Sequence, residues 1–226
     1  MNDLTVLYYT ANTLKEPFAT KVREVLWNAK GESPLISVSQ KPLNYGKNII
    51  VNLPHAYLSI YKQILIGAKA TETEYLALAE DDCLYSKEHF LFRPKSDEFA
   101  FDMARWSIYS WSNPPIFSLK YRHSNSTLIA PTKLLVNALE ERFAKFPDES
   151  KIDIRLFGEP GRYERQLGVT VQKTCDYTSN CPCITFSHPE AIGYQYLGNR
   201  KKLGEIKAYD IPFWGKAEDI IKKFYV

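Results

Sequence analysis

Thr73-Glu74-Tyr75-Leu76-Ala77-Leu78-Ala79-Glu80-Asp81-Asp82-Cys83-Leu84-Tyr85 is the stretch on which the reading of this chain turns. Its apolar run, Tyr75 to Ala79, is too short for a stable helix and has no polar interruption, so it reads as a β-strand buried on both faces. Three carboxylates follow without a spacer. Gathering Glu80, Asp81 and Asp82 at the end of a buried strand costs Coulomb repulsion and desolvation. A divalent cation relieves that cost. Hard cations such as Mg²⁺ and Mn²⁺ combine one or two protein carboxylates with the phosphates of a substrate. Open α/β sheets bind ligands at the carboxyl ends of their strands, where these acids fall. The alternative is a solvated acidic turn with no ligand.

Upstream, Tyr57, Ile60, Tyr61, Ile64, Leu65 and Ala68 recur at i, i+3, i+4, i+7, i+8 and i+11. This single apolar stripe predicts a helix over about 56–70, leading into the strand. Leu4 to Tyr9 is β-branched, aromatic and apolar, a buried first strand. The turn Thr10-Ala11-Asn12 follows, and Thr13 with Glu16 has the spacing of a capping box before a helix carrying Leu14, Phe18, Val22, Val25 and Leu26. Leu35 to Val38 gives a second short strand, with a polar loop through Lys41, Pro42, Tyr45 and Gly46 after it. Strand and helix alternate over the first 85 residues, which predicts βαβ units and a mainly parallel sheet.

Downstream, residues 89–117 are rich in aromatics and prolines with no sustained period, and read as loops packed over the sheet edge. Aromatics beside a site also offer flat faces on which sugars or bases stack. Ser126 to Ala130 reads as a strand, and Thr132 as the cap of a helix ending near Phe146. Gly158-Glu159-Pro160-Gly161-Arg162 is a glycine-rich turn before a short helical piece carrying Glu164 and Arg165, and His188 precedes Pro189, where the backbone is extended. A glycine-rich phosphate loop is missing, so a P-loop or dinucleotide-binding assignment lacks its motif.

Composition bounds these readings. The chain has 226 residues, 45% hydrophobic and 24% charged, which suits a folded globular protein with one well-filled core. The sequence contains no apolar run long enough to span a bilayer, and the amino terminus has no signal-peptide pattern, so a cytoplasmic location is expected. Formal charge is +3. From Arg200 onward seven basic residues face four acidic ones, an excess equal to that of the whole chain. Such a tail steers polyanions or is merely solvated. Cys175, Cys181 and Cys183 do not make a secreted disulfide framework. Together with His188 they offer the donors of a structural Zn²⁺ site, in an unusual spacing.

Taken in order, these pieces resemble the GT-A fold of nucleotide-sugar glycosyltransferases, most closely family 2-like enzymes. The motifs are Gly67 to Tyr75 leading into the DxD-like Glu80-Asp81-Asp82, and Gly158-Glu159 as the acidic turn before a helix. The resemblance covers about residues 4–195. It implies a Rossmann-related, mostly parallel α/β sheet flanked by helices over 1–195, with a small basic C-terminal extension over 196–226 on or beside the site. By the same resemblance Thr10, Ala11 and Asn12 hold the base and ribose of the donor, and Glu80 and Asp81 lie near ribose and sugar. Asp82 and His188 are metal ligands for Mn²⁺ or Mg²⁺, and the metal clamps the diphosphate. An inverting member needs a carboxylate base for the acceptor hydroxyl. Glu159 is the first candidate and Glu164 the second, because this chain has Glu159-Pro160 where the family has Glu-Asp. Arg162 and Arg165 are candidates for phosphate contacts.

The function expected is transfer of a sugar from a nucleoside diphosphate sugar, a UDP-sugar first among them, to an acceptor hydroxyl. A hydroxymethylated base in DNA is one such acceptor, reached by base flipping; lipopolysaccharide, capsule and protein are others. A nucleotidyltransferase also places acids at strand ends, though its glycine- and lysine-rich loop is missing after the first strand. A non-catalytic nucleic-acid-binding module would use the basic tail and the aromatic stretch, and would leave the three carboxylates without a purpose.

Overall fold

The computed structural model describes residues 3–148, 152–153, 156–187 and 204–225. In chain order the first half comprises β1 (Leu4–Thr10), α1 (Phe18–Ala29), β2 (Leu35–Ser39), β3 (Lys47–Ile50), α2 (Tyr57–Lys69), β4 (Tyr75–Glu80) and β5 (Cys83–Leu84). There follow β6 (Glu98–Asp102), β7 (Arg105–Tyr109), β8 (Ile116–Leu119), β9 (Leu128–Pro131), α3 (Thr132–Lys145), α4 (Glu164–Leu167), β10 (Lys173–Tyr177), β11 (Cys183–Ser187) and β12 (Lys207–Ala208). β13 (Asp210–Ile211), β14 (Gly215–Lys216) and α5 (Ala217–Tyr225) complete the described chain.

The fold is mixed α/β around a seven-stranded sheet of order β10-β6-β9-β4-β1-β2-β3, in which β4, β1, β2 and β3 are mutually parallel and β9 is antiparallel to both neighbours. Successive residues of a strand point to opposite faces. In β1, Leu7 and Tyr9 therefore pack with α2 and α3, through Leu58, Tyr61, Ile64, Leu135 and Leu139. Leu4, Val6 and Tyr8 pack on the other side with Leu26 and Ala29 of α1. A strand covered on both faces has little room for a polar residue, which explains the unbroken apolar run of β4 and the near-unbroken one of β1. Gly67 lets α2 lie close to this sheet, since a Cβ there would stand 2.2 Å from Leu7 Cδ1.

A second, five-stranded sheet of order β12-β8-β7-β11-β5 lies alongside. Its apolar face, with Leu84, Ile108, Phe117, Ile184 and Phe186, forms a third core with Phe18 and Val22 of α1 and Ile220 and Phe224 of α5. The pairing register puts Cys83, Arg105, Ser107, Ser118 and Thr185 on the opposite face. β4 belongs to the first sheet and β5 to the second, so Glu80, Asp81 and Asp82 lie where the chain passes between them.

Several sequence expectations change. The Thr13–Glu16 capping box does not form, because Pro17 occupies the N-cap position and α1 starts at Phe18. Glu16 instead accepts from the backbone N–H of Thr20 at 2.9 Å. Thr132 is the first residue of α3 rather than its cap, and its hydroxyl donates to the Thr73 carbonyl at 2.9 Å. The polar loop expected through Lys41, Pro42, Tyr45 and Gly46 is present, and an edge strand that the sequence reading did not assign, β3, follows it. Within the aromatic stretch the loops are interrupted by three strands, β6 to β8, whose aromatics help to fill the cores. Of the basic C-terminal segment, β12 pairs with β8 and α5 contributes to the third core.

Candidate functional site

Parallel pairing of β1 with β4 brings the turn after β1 beside the acidic triplet. The Thr10 hydroxyl donates to Asp81 Oδ2 at 2.5 Å and accepts from the Asn12 N–H at 2.9 Å. Asn12 sits in the left-handed region at φ 54°, which asparagine tolerates, and its Oδ1 accepts from the N–H groups of Gln40 and Lys41 at 2.8 and 3.0 Å. From α2, Gln63 Nε2 donates to the Thr10 carbonyl at 2.8 Å. The turn is thus fixed from β4, α2 and the segment after β2, with half-buried Ala11 at its apex.

Glu80 ends β4 with Oε1 accepting from the Tyr9 hydroxyl at 2.9 Å. The Cys83 thiol donates to Asp82 Oδ1 at 3.3 Å, and also lies 3.8 Å from Glu80 Oε2. Burial, reinforced by the charge of Asp82, pushes the Glu80 carboxyl up to about 8. Burial and the same two carboxylates push the Cys83 thiol well up. Ligating atoms of Glu80, Asp82 and Cys83 all lie within 4.8 Å of one another. Two crowded carboxylates, one disfavoured in its charged form, are a donor set that a hard divalent cation fits, because its charge removes the conflict.

The loop of residues 158–164 carries the remaining candidates, Glu159, Arg162 and Glu164. It is held from α3 by Arg142, which is 1% exposed. Arg142 donates to the Gly158 carbonyl at 2.5 Å, to the Arg162 carbonyl at 3.1 Å and to Glu164 Oε1 at 2.6 Å. Glu164 Oε1 also accepts from the Gly161 N–H at 2.5 Å, so this carboxylate is committed to the loop's own framework. Gly161 has φ +94°, and a Cβ there would stand 2.4 Å from Thr174 Cγ2, so glycine is required twice over. Glu159 is half-buried and pairs with Arg162 at 2.8 Å. Tyr57 of α2 feels both regions: burial pushes its hydroxyl up to about 12, and the charges of Glu159 and Glu80 push the same way.

Of the residues singled out in the sequence, Thr10, Ala11, Asn12, Glu80, Asp81 and Asp82 gather in one place, while Glu159 and Arg162 pair with each other on the 158–164 loop. His188 lies outside the described residues. Cys175, Cys181 and Cys183 do not bring their sulfurs together among the described residues, because Cys175 is on β10 of the first sheet and Cys183 on β11 of the second. The zinc reading therefore loses its three-thiol set. Arg105 was missed. Its guanidinium is close enough to Glu80, Cys83 and Glu159 for their charges to act on it. The alternation of Arg105, Ser107 and Tyr109 with Trp106 and Ile108 was the available signal, since it marks a strand with one polar face.

The sequence matches no protein-family model and no curated protein. Among solved structures, it is similar to TarS 1-349 of S. aureus in complex with UDP, at 15% identity and TM-score 0.46, over 84% of this chain and 62% of that one. A glycosyltransferase involved in glycosylation of the major capsid of PBCV-1 aligns at 11% identity and TM-score 0.45, over 81% of this chain and 92% of that one. A nucleotidyl transferase from Methanothermobacter thermautotroptrophicus aligns at 12% identity and TM-score 0.43, over 62% of this chain and 76% of that one. Likeness at this level assigns neither family nor activity.

Proposed function

We propose that this chain is a metal-dependent, inverting glycosyltransferase that moves a sugar from a nucleoside diphosphate sugar to an acceptor hydroxyl. The observation that carries the proposal is the crowding of Glu80 and Asp82 at the carboxyl end of a buried central strand. Asp82 and Glu80 would hold Mn²⁺ or Mg²⁺. The bound cation supplies neutralisation of the diphosphate as it leaves. Thr10, Ala11 and Asn12 receive the base and ribose, with Asp81 fixed by Thr10. Glu159, oriented by Arg162, removes the acceptor proton. Glu164 is assigned to positioning, since Arg142 and the Gly161 N–H already occupy its carboxylate.

The test is release of nucleoside diphosphate from UDP- and GDP-sugars with Mn²⁺, in the presence of glycan acceptors and of DNA with hydroxymethylated bases. The wild-type chain is expected to turn over a donor. Asp82→Asn is expected to lose metal-dependent turnover. Glu159→Gln is expected to bind donor and to transfer about 10²-fold more slowly or worse. Full turnover by Asp82→Asn contradicts the metal assignment, and release of pyrophosphate from a nucleoside triphosphate in place of these reactions makes the chain a nucleotidyltransferase.

A further inference from the structure

Arg105 opens β7 on the polar face of the second sheet and is 3% exposed. Its Nε and Nη2 are buried and have no hydrogen-bond partner. A guanidinium stays charged in a protein, and an unpaired buried charge is among the costliest features a fold can carry. The neighbouring charges are Glu80 and Glu159 on one hand and Arg122 on the other. Neither glutamate forms an ion pair with it: Glu80 bonds Tyr9, and Glu159 bonds Arg162. An ordered water would satisfy a buried N–H but leave the charge uncompensated.

The site thus sets carboxylates that call for a cation beside an arginine that calls for an anion. A free anion would be repelled by Glu80 and Asp82, and a bare cation would be repelled by Arg105. A ligand that brings both together meets both demands, and a diphosphate with a divalent cation is such a ligand. We propose that Arg105 is a diphosphate-binding residue, donating N–H bonds to phosphate oxygens of the donor. This rests on the nucleotide-sugar reading above and adds the residue that reading lacked. As the acceptor oxygen bonds to the anomeric carbon, the bond from that carbon to the diphosphate oxygen breaks and its electron pair stays on the oxygen. The acceptor proton goes to Glu159. Arg105, itself 3% exposed, then stabilises charge that grows on the leaving group.

The experiment is calorimetric titration of the full chain with pyrophosphate, with uridine and guanosine, and with their diphosphates, all with Mn²⁺. It compares wild type, Arg105→Lys and Arg105→Met, with melting temperatures measured without ligand. Arg105→Met is expected to weaken pyrophosphate and nucleoside diphosphate binding by about tenfold or more, while leaving nucleoside affinity unchanged. Its ligand-free melting temperature is expected to hold or rise, because an unpaired charge has been removed. Arg105→Lys, which keeps the charge without the planar fork, falls between. Diphosphate affinity within about twofold of wild type in Arg105→Met overturns the proposal, even where nucleosides bind and the nucleotide reading stands. Loss of pyrophosphate binding in Arg105→Met, with no nucleoside bound by any form, supports the anion site and removes the nucleotide-sugar reading instead. If Arg105→Met fails to fold and Arg105→Lys binds diphosphate as wild type does, Arg105 is structural and the proposal is wrong.

Discussion

At Glu80 the folded chain holds a proton more tightly than the unfolded chain does. Its carboxyl is pushed from an ordinary value of 4.5 up to about 8 by burial and by Asp82. Because the folded state binds the extra proton, this group's contribution is most favourable below about pH 4.5 and is lost as pH rises through about 8. With metal removed by chelation, wild-type stability should fall relative to Glu80→Gln between those limits, followed as melting temperature against pH. Parallel curves for the two proteins would show that Glu80 is not perturbed. The two candidate bases separate by a different measurement. Arg142 and Glu164 form a buried pair, with side chains 1% and 5% exposed. Glu164→Gln strands the arginine and should cost about 3–5 kcal/mol in urea unfolding. Glu159→Gln breaks a more exposed pair, 14% and 29% exposed, and should cost about 1 kcal/mol or less while slowing transfer about 10²-fold or more. Equal destabilisation by the two changes would contradict this division of roles.

α5 closes the third core, and its anchor is Phe224, 2% exposed, with its ring 5.3 Å from Phe186 and 6.3 Å from Phe18. Phe224→Ala should therefore cost about 3–5 kcal/mol in chemical unfolding, far more than truncation in a solvated tail would. A loss below about 1 kcal/mol would mean that the helix is peripheral. Elements differ in how far the sequence exposes them. β1, β4 and α2 were legible because burial on two faces, or on one stripe, leaves an unmistakable apolar pattern. β6 to β8 were hidden because their aromatics and the intervening prolines masked a two-residue alternation that Arg105-Trp106-Ser107-Ile108-Tyr109 does carry. The start of α1 was misplaced because Thr13 and Glu16 have capping spacing, whereas Pro17 stands where the helix begins. In α5, Ile220 and Phe224 stand at i and i+4, a stripe overshadowed by its charges.

Across the whole molecule, what local pattern conceals is convergence. Glu80, Asp81 and Asp82 announce themselves as a cluster, but Arg105, Arg142 and Tyr57 acquire their roles only when two sheets and the helices α2 and α3 are packed together. The proposed transfer requires that the native chain bind a nucleoside diphosphate sugar through a cation at Asp82 and Glu80. A ligand that binds only the native state raises its melting temperature, by mass action. The most direct measurement is the melting temperature of wild type and Asp82→Ala with UDP-sugars, with and without Mn²⁺. Wild type is predicted to show a rise that requires both sugar nucleotide and Mn²⁺ and disappears in Asp82→Ala. A rise of equal size in Asp82→Ala, or no rise with any nucleotide sugar alongside a rise with DNA, would contradict it.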